Sequence, residues 1–277
     1  MLFVVDIEGC IMPARRGPVD LSAIGHLRAV LGEMRAGAHG GHGAHGAGRA
    51  ARDAWAFTIC TGRPAPYVEA VLQLVGGPWP GVPAVVEHGA FLYDALTGTM
   101  TPHPALADQR EVLDWAQEAV ADFLGSERCV GAQREPGKEL CVSINPPPGM
   151  GIAAFFHEVA AALEPVARHL TIMHSQSSVD ITPRGIDKGT GLSFLCEHIG
   201  VELASCVAIG DSQNDLPMLR RAGHPAAPRN ADPDALRVAE YVSPLPEALG
   251  VADIIQHYRG QRAVAGTAAS EAAPARD

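Results

Sequence analysis

The chain has few aromatic residues, an excess of acidic over basic residues and no long apolar run. Aromatic residues make up 5% of its 277 positions, and 31 Asp and Glu residues outnumber 21 Lys and Arg residues, for a net charge of −10. A surface of this sign disfavours nucleic acid and anionic membranes, because both bind cationic faces. No stretch approaches the roughly 18 apolar residues of a membrane span. We therefore expect neither a nucleic-acid partner nor a membrane partner.

The six cysteines are scattered and include no Cys-x-x-Cys pair. This spacing favours reduced thiols over a disulfide framework or a structural zinc site. No basic segment precedes the short apolar run at the amino terminus, so the run does not resemble a signal peptide. Hydrophobic residues at 47% and charged residues at 19% are typical of a globular protein. We predict a cytoplasmic protein that is a monomer or a homodimer.

Apolar strands alternate with segments of helical periodicity in both halves of the chain. Leu2–Val5 and Cys206–Ile209 are apolar runs, each followed within two residues by an aspartate. This alternation predicts an α/β fold with a doubly wound, Rossmann-like parallel sheet and helices on both faces. The middle of the chain follows a different, β-α-β-β-α-β-like order, which predicts a smaller inserted α/β cap domain. The predicted core comprises residues 1–93 and 179–260. The predicted cap comprises residues 94–178, and a frayed tail is predicted at 261–277.

Four polar clusters follow predicted strands or begin predicted helices. Because the carboxyl ends of parallel strands meet at one edge of the sheet, we expect these clusters to line one crevice. Carboxylates crowded into one crevice repel each other, and a divalent cation removes that conflict. Oxygen ligands with few protein contacts suit Mg²⁺. The clusters are Asp6-Ile7-Glu8-Gly9, Thr61-Gly62-Arg63, Lys188 and Gly210-Asp211-Ser212-Gln213-Asn214-Asp215.

A lysine, a hydroxyl and a backbone amide beside such carboxylates suit a phosphoryl group. Lys188 would neutralise its oxygens, and Thr61 and the amide of Gly62 would hydrogen-bond to them. Asp6 would attack phosphorus in line and form an aspartyl-phosphate. Glu8 would protonate the leaving oxygen and later take a proton from the attacking water. The residues therefore predict Mg²⁺-dependent hydrolysis of a phosphomonoester.

The four clusters, in this order, resemble the motifs of the haloacid dehalogenase-like (HAD) superfamily of hydrolases. Glu87-His88-Gly89-Ala90 is similar to the Asn-Gly-Ala turn of its Cof-type branch, and Arg229-Asn230-Ala231 is similar to the ending of that branch. The resemblance spans about residues 2–258. The inserted block resembles the type-two α/β cap of the subclass IIB phosphatases.

This resemblance implies a role for each matching residue. Asp6 would be the nucleophile and a metal ligand, and Glu8 the general acid/base and a metal ligand through its backbone carbonyl. Asp211 would bind Mg²⁺ directly, and Asp215 would support the metal site. The implied substrate is a small phosphorylated metabolite, either a sugar phosphate or a phosphorylated small acid. The implied phosphate-binding residues are Thr61, Gly62, Arg63, Lys188 and Asn214.

Three positions depart from the family pattern. Glu8 stands where Asp is usual, Cys10 replaces a Thr or Ser, and His88 replaces the usual Asn. Two alternatives stay open: a phosphomutase or phosphotransferase of the same superfamily, and a catalytically weak phosphometabolite-binding protein. Arg63 either contacts phosphate or forms a structural ion pair. The candidate specificity residues in the cap are Arg134, Lys138, His174 and Ser175.

Residues 37–48 are a low-complexity stretch of Gly, Ala and His. Gly41–Gly46 matches G-x-G-x-x-G, the dinucleotide-binding fingerprint. That fingerprint follows a strand and begins a helix, whereas this segment follows a predicted helix and precedes a predicted strand. We therefore predict a solvated surface loop here, without a nucleotide site.

Overall fold

The computed structural model describes residues 1–14, 17–38, 55–107, 109–175 and 177–271. Most of the low-complexity stretch, including the whole G-x-G-x-x-G match, lies outside the described residues. The helices and strands, in chain order, are β1 Leu2–Val5, α1 Leu21–Ala38, β2 Ala56–Ile59, α2 Ala65–Leu74, β3 Ala84–Val86, β4 Phe91–Asp94, β5 Thr99–Pro102, α3 Arg110–Gly125, β6 Gln133–Arg134, β7 Val142–Asn145, α4 Ile152–Ala162, β8 Leu170–His174, β9 Val179–Pro183, α5 Lys188–Ile199, β10 Cys206–Ile209, α6 Leu216–Leu219, β11 His224–Ala227, α7 Pro233–Val238, β12 Tyr241–Val242 and α8 Glu247–Glu271.

The core is a five-stranded parallel sheet in the order β12-β11-β10-β1-β2. Side chains alternate between its faces because successive residues of a strand point in opposite directions. Phe3 and Val5 pack with α1, α2 and α8 on one face, and Leu2 and Val4 pack with α5, α6 and α7 on the other. Both faces are therefore covered, which confirms the predicted doubly wound α/β core.

A hairpin extends this core beyond β2. Strands β3, β4 and β5 form an antiparallel sheet, and Cys60 bridges to Val85 in parallel. Gly98 adopts a φ of +71° in the turn between β4 and β5, a conformation that glycine takes without steric cost. Gly98 thus permits the tight turn that joins β4 to β5.

The cap is a four-stranded antiparallel sheet, β6-β7-β9-β8, that packs against α3 and α4. Strand β9 pairs with both β7 and β8, so the cap sheet extends past the predicted boundary at 178. Helix α4 ends at Ala162. Pro165 accounts for this end, because proline lacks the amide hydrogen and its ring clashes with the preceding helical turn. The two-residue strand β6 was not predicted.

Helix α8 corrects the prediction at the carboxyl end of the described chain. A frayed tail was predicted from residue 261, but this helix extends to Glu271. The added segment is rich in alanine, which has the highest intrinsic helix propensity. Residues 272–277 of the predicted tail lie outside the described residues. Among the described residues, no helix combines the length and the apolar character that crossing a membrane requires.

All six cysteines lie within the described residues, and each is free and buried. Cys196 on α5 and Cys206 on β10 approach most closely among these side chains, with 3.4 Å between their sulfur atoms.

Candidate active site

The candidate site lies at the carboxyl ends of three adjacent core strands. Val5 pairs with both Ile59 and Ile209, so the segments that follow β1, β2 and β10 leave the sheet at one level. Asp6 follows β1 directly, and its amide donates to the carbonyl of Ile209 at 2.9 Å. The sheet thus brings the predicted clusters to a single crevice, as the parallel topology requires.

Lys188 is fully buried and lies at the centre of this crevice. Its Nζ is 2.9 Å from Asp6 Oδ1 and 2.7 Å from Asp215 Oδ1, and it donates to Asn214 Oδ1 at 3.2 Å. Burial opposes the charge of Lys188, but Asp215 and Asp6 outweigh it and raise its pKa well above the usual lysine value. The ammonium group is therefore a fixed positive charge beside Asp6.

Asp215 organises the loop that follows β10. Its Oδ2 accepts the amide hydrogens of Asp211 at 3.1 Å and Ser212 at 3.0 Å, and its Oδ1 accepts from Lys188 at 2.7 Å. A side chain at residue 210 would overlap Asp215, so Gly210 is required there. Asp215 is fully buried and lies behind Asp211 and Asn214, which face the cleft.

Asp6, Asp211 and Asp215 form a buried carboxylate cluster, with one oxygen from each lying within 4.8 Å of the others. Burial is the largest cause of the raised pKa of Asp6, about 7, with Asp215 and Glu8 adding to it against Lys188. Burial and the charges of Asp215 and Asp6 raise the pKa of Asp211 to about 9. The single positive charge of Lys188 does not balance three ionised carboxylates at this point. Each of the three aspartates also offers oxygen atoms as metal ligands. This donor set fits a divalent cation such as Mg²⁺.

Gly9 allows the loop after β1 to approach Asp211 closely. A Cβ at Gly9 would overlap Asp211 Oδ2, and the residue has a φ of +74°. Asn230 donates to the carbonyl of Gly9 at 2.8 Å and fixes this loop from the opposite side. Cys10, at the position where Thr or Ser is usual, is buried, and that burial together with Asp211 raises its pKa well above the usual thiol value.

The Thr61-Gly62-Arg63 segment begins directly after Cys60, which follows β2. Thr61 is fully buried, its amide donates to Val85 at 3.0 Å, and its hydroxyl accepts the amide of Arg63 at 3.3 Å. Gly62 and Arg63 line the cleft that contains Asp6 and Lys188. The structure therefore places the backbone of this segment at the crevice and the threonine side chain beneath it.

Arg63 forms ion pairs on both sides of the cleft. It contacts Glu8 in the core, and its Nη1 lies 3.3 Å from Glu135 Oε2 in the cap. Burial opposes its charge, but Glu8 and Glu135 outweigh this and raise its pKa. In this conformation Arg63 joins the core to the cap through ion pairs, and one of these pairs occupies the carboxylate of Glu8.

The cap presents a second polar cluster to the cleft, which the sequence did not single out as a unit. Lys138 Nζ lies 3.4 Å from Glu135 Oε2 and 3.8 Å from Asp180 Oδ1. Ser143 donates to Asp180 and accepts from Lys138. Burial opposes ionisation of Asp180, but His88, Lys138 and Ser143 outweigh it and lower its pKa. Glu135 and Asp180 were missed because they stand in segments without a motif.

The cleft between these two clusters has an empty volume of ≈ 430 Å³. Of the four cap candidates, Lys138 and Ser175 line it, together with Ser177 and Ser178. Arg134 is exposed, and neither Arg134 nor His174 lines the cleft. Polar side chains from both domains thus surround the space beside Asp6.

Glu87 anchors the cap at its junction with the core. Its carboxylate accepts three consecutive cap amides, from Glu139 at 2.7 Å, Leu140 at 2.9 Å and Cys141 at 3.0 Å. Glu87 is 1% exposed and adopts a φ of +47°. Buried carboxylates that accept several amide hydrogens make strong, charge-assisted bonds. The loop that carries Lys138 is therefore fixed to the core.

Comparison with known proteins is consistent with this geometry. A family model described as haloacid dehalogenase-like hydrolase matches residues 152–255. The phosphoglycolate phosphatase of Methanothrix thermoacetophila is 38% identical over 97 residues, 35% of this chain and 44% of that protein, so the chain matches less than half of that relative. The phosphoglycolate phosphatase of Methanococcoides burtonii is 27% identical over 199 residues, 72% of this chain and 80% of that protein.

The fold is shared with the sucrose-phosphatase of Synechocystis, solved in complex with sucrose and phosphate. The TM-score is 0.67, the identity is 19%, and the match covers 94% of this chain and 98% of that chain. Because the match covers nearly all of both chains, it includes the cap as well as the core. Identity at this level shows a common fold.

Proposed function

We propose that this chain is a haloacid dehalogenase-like hydrolase, and that it acts as a Mg²⁺-dependent phosphatase on a small phosphomonoester. The observation that carries the proposal is the position of Asp6 beside the fully buried Lys188, at 2.9 Å, with the carboxylates of Asp211 and Asp215 close by. A nucleophile, a fixed cation and a set of oxygen donors at one point suit phosphoryl transfer.

Asp6 and Asp211, with the backbone carbonyl of Glu8, would hold the cation, and Asp215 would support the site from behind them. When bound, Mg²⁺ would offset the charge of these carboxylates and of the phosphoryl oxygens. Asp6, Asp211 and Glu8 line the cleft, whereas Asp215 positions the loop behind them. Burial and neighbouring carboxylates raise the pKa values of Asp6 and Asp211, which supports the assignment because a bound cation would offset both effects.

In the first step, a carboxylate oxygen of Asp6 attacks phosphorus and the bond to the leaving oxygen breaks. The product is an aspartyl-phosphate, and Glu8 gives its proton to the leaving oxygen. In the second step, water attacks the same phosphorus, Glu8 accepts the proton of the water, and Asp6 is released with orthophosphate. Lys188 balances charge on Asp6 throughout, and the segment from Thr61 to Arg63, with Asn214, holds the phosphoryl group.

The substrate classes that the comparisons support are a phosphorylated small acid and a sugar phosphate. The relatives named phosphoglycolate phosphatase favour the first, and the shared fold of a sucrose-phosphatase favours the second. We further propose, from the sequence alone, that the protein is cytoplasmic and is a monomer or a homodimer.

A catalytically weak phosphometabolite-binding protein is the second candidate. The contact between Glu8 and Arg63 favours it, because that contact occupies the carboxylate that would protonate the leaving group. A turnover assay separates the two functions.

The test is orthophosphate release from a panel of phosphorylated small acids and sugar phosphates, with Mg²⁺ and with EDTA. We expect turnover with Mg²⁺, none with EDTA, and none in Asp6→Asn under either condition. Retained ligand binding without turnover across the whole panel would favour the binding protein and overturn the phosphatase.

A further inference from the structure

His88 lies at the point where the phosphate-binding loop meets the cap. It is 1% exposed and has a φ of +57°, a left-handed backbone conformation that residues other than glycine seldom adopt. A Cβ at Gly62 would overlap the His88 ring, so the ring lies directly against that glycine. His88 also lines the cleft that contains Asp6.

Both ring nitrogens of His88 lack a hydrogen bond of good geometry within the part of the chain that the structure describes. Nε2 lies 3.3 Å from Asp180 Oδ1 in the cap, which sets the direction of the ring. A buried nitrogen without a partner is costly, and native proteins nearly always satisfy such groups. Since the ring lines the cleft, a bound ligand is well placed to satisfy it.

The charges around the ring limit what that ligand can be. Asp180 and Glu135 both lie on the cap side, and Lys138 lies between them at 3.8 Å and 3.4 Å. Ser178 donates to Asp180 at 3.3 Å, and Ser143 also donates to it. A carboxylate placed here would meet the carboxylates of Asp180 and Glu135, and the cations Lys138 and Arg63 are already paired with them. A hydroxyl would meet acceptors and donors that it can bond to without adding charge.

We propose that His88, oriented by Asp180, hydrogen-bonds a hydroxyl group on the leaving group of the substrate and thereby favours hydroxylated phosphomonoesters over carboxylated ones. The proposal rests on the phosphatase function and deepens it. In the proposed complex, the phosphoryl group would lie at Asp6 and Lys188. The leaving group would extend towards the cap and contact His88 and the cleft-lining serines 175, 177 and 178. Asp180 is a positioning residue, because it acts on the substrate through the imidazole.

The experiment compares three phosphomonoesters on the full chain with Mg²⁺. Glycerol 3-phosphate carries hydroxyls, propyl phosphate has the same carbon count without them, and phosphoglycolate carries a carboxylate. We expect the unmodified protein to show its highest kcat/KM on glycerol 3-phosphate. His88→Ala should raise KM for that ester by about three- to tenfold, the range for one lost hydrogen bond, and leave KM for propyl phosphate unchanged.

His88→Asn is the second variant, because asparagine tolerates the left-handed backbone of this position. Its shorter side chain should give the same shift in KM, with kcat on propyl phosphate retained. His198→Ala is the matched control, since His198 is an exposed histidine at the end of α5. It should leave the kinetics of all three esters unchanged.

Three results would overturn the inference about His88 and leave the phosphatase standing. One is equal kcat/KM for glycerol 3-phosphate and propyl phosphate in the unmodified protein. Another is higher kcat/KM on phosphoglycolate than on glycerol 3-phosphate. The third is an equal loss on all esters in both His88 variants, with the loss of thermal stability that a purely structural role predicts. Absence of orthophosphate release from every ester would instead overturn the phosphatase function, and the inference with it.

Discussion

The ammonium group of Lys188 lies 2.9 Å from Oδ1 of Asp6, and both side chains are buried. The lysine begins α5, where the helix dipole disfavours a cation, and Asp187 caps that helix through the amide of Thr190 at 2.7 Å. The placement of Lys188 is therefore explained by its two aspartate partners, Asp6 and Asp215, and not by the helix that carries it. Its removal should affect both stability and chemistry.

Lys188→Met should lower the free energy of unfolding of the metal-free protein by about 3–5 kcal/mol, because it strands buried carboxylates without their cation. Urea denaturation in EDTA measures this change. Adding Asp215→Asn to Lys188→Met should recover part of the loss, since one of the stranded charges is removed. An unchanged free energy of unfolding in Lys188→Met would show that the buried pairs of Lys188 with Asp6 and Asp215 do not stabilise the fold.

The metal-free protein should lose stability as the pH rises from about 5 to about 9. The folded protein retains protons on Asp6 up to a pKa of about 7 and on Asp211 up to about 9, whereas the unfolded chain releases them near 3.8. Their contribution is thus complete below about pH 3.8 and is lost as the pH rises through the two folded-state values. Thermal unfolding in EDTA across this range measures the decline.

Mg²⁺ should reduce that decline, because it stabilises the ionised carboxylates of the folded protein. Asp211→Asn is the control, since it removes the group with the higher pKa and should flatten the profile in EDTA. A melting temperature that rises with pH between 7 and 9 in EDTA would contradict the assignment of raised pKa values to this cluster.

Glu8→Gln should reduce turnover by about 10²- to 10⁴-fold, the usual contribution of a general acid/base. Its effect on stability should be at most about 1 kcal/mol, because the Glu8–Arg63 pair is partly exposed and solvent screens it. Steady-state kinetics and urea denaturation together separate the two roles. Glu8→Asp keeps a carboxyl group and introduces the residue usual at this position in the HAD superfamily, so it should keep most of the turnover. Full activity in Glu8→Gln would remove Glu8 from the mechanism.

Gly9→Ala should be far more harmful than Gly98→Ala. The two glycines share nearly the same backbone, with φ of +74° and +71°, so both substitutions incur the left-handed strain of about 1–2 kcal/mol. Only at Gly9 does the added methyl group overlap Asp211, whereas Gly98 faces open space. The Mg²⁺ concentration for half-maximal activity should rise in Gly9→Ala alone. An equal effect of both variants would mean that the contact with Asp211 is unimportant.

Glu87→Gln should loosen the cap, because the neutral amide accepts the three amide hydrogens of residues 139–141 less strongly than the carboxylate. Hydrogen exchange of these amides should speed up, while the amides of β1 and β10 keep their rates. Glu69→Gln is a control on the core, at a glutamate that accepts from Tyr93. Unchanged exchange at 139–141 in Glu87→Gln would show that the carboxylate charge does not fasten the cap.

The sequence predicted the core well because its physical signals are local. Leu2–Val5 and Cys206–Ile209 are short apolar runs that can be buried only inside a sheet, and each precedes an aspartate. Once the strands are parallel, topology brings these aspartates together without any knowledge of side-chain conformation. Motif spacing therefore identified residues of the crevice floor, including Lys188.

The cap half of the cleft could not be predicted in the same way. Asp180 contacts His88, and Glu135 contacts Arg63, across long separations in the chain. Which cap side chains face the core depends on how the cap docks, and no local pattern encodes that. The strand containing Asp180 also looked like the start of the second core half, although it pairs inside the cap sheet.

The three amide hydrogens held by Glu87 have a mechanical consequence for substrate entry. The link from Arg63 to Glu135 is a partly exposed ion pair that little energy separates, whereas the bonds at Glu87 are buried and charge-assisted. We therefore expect a motion that uncovers Asp6 to break the link between Arg63 and Glu135 before the bonds at Glu87. Substrate would then enter on the side of Glu135, while residues 139–141 stay attached to the core.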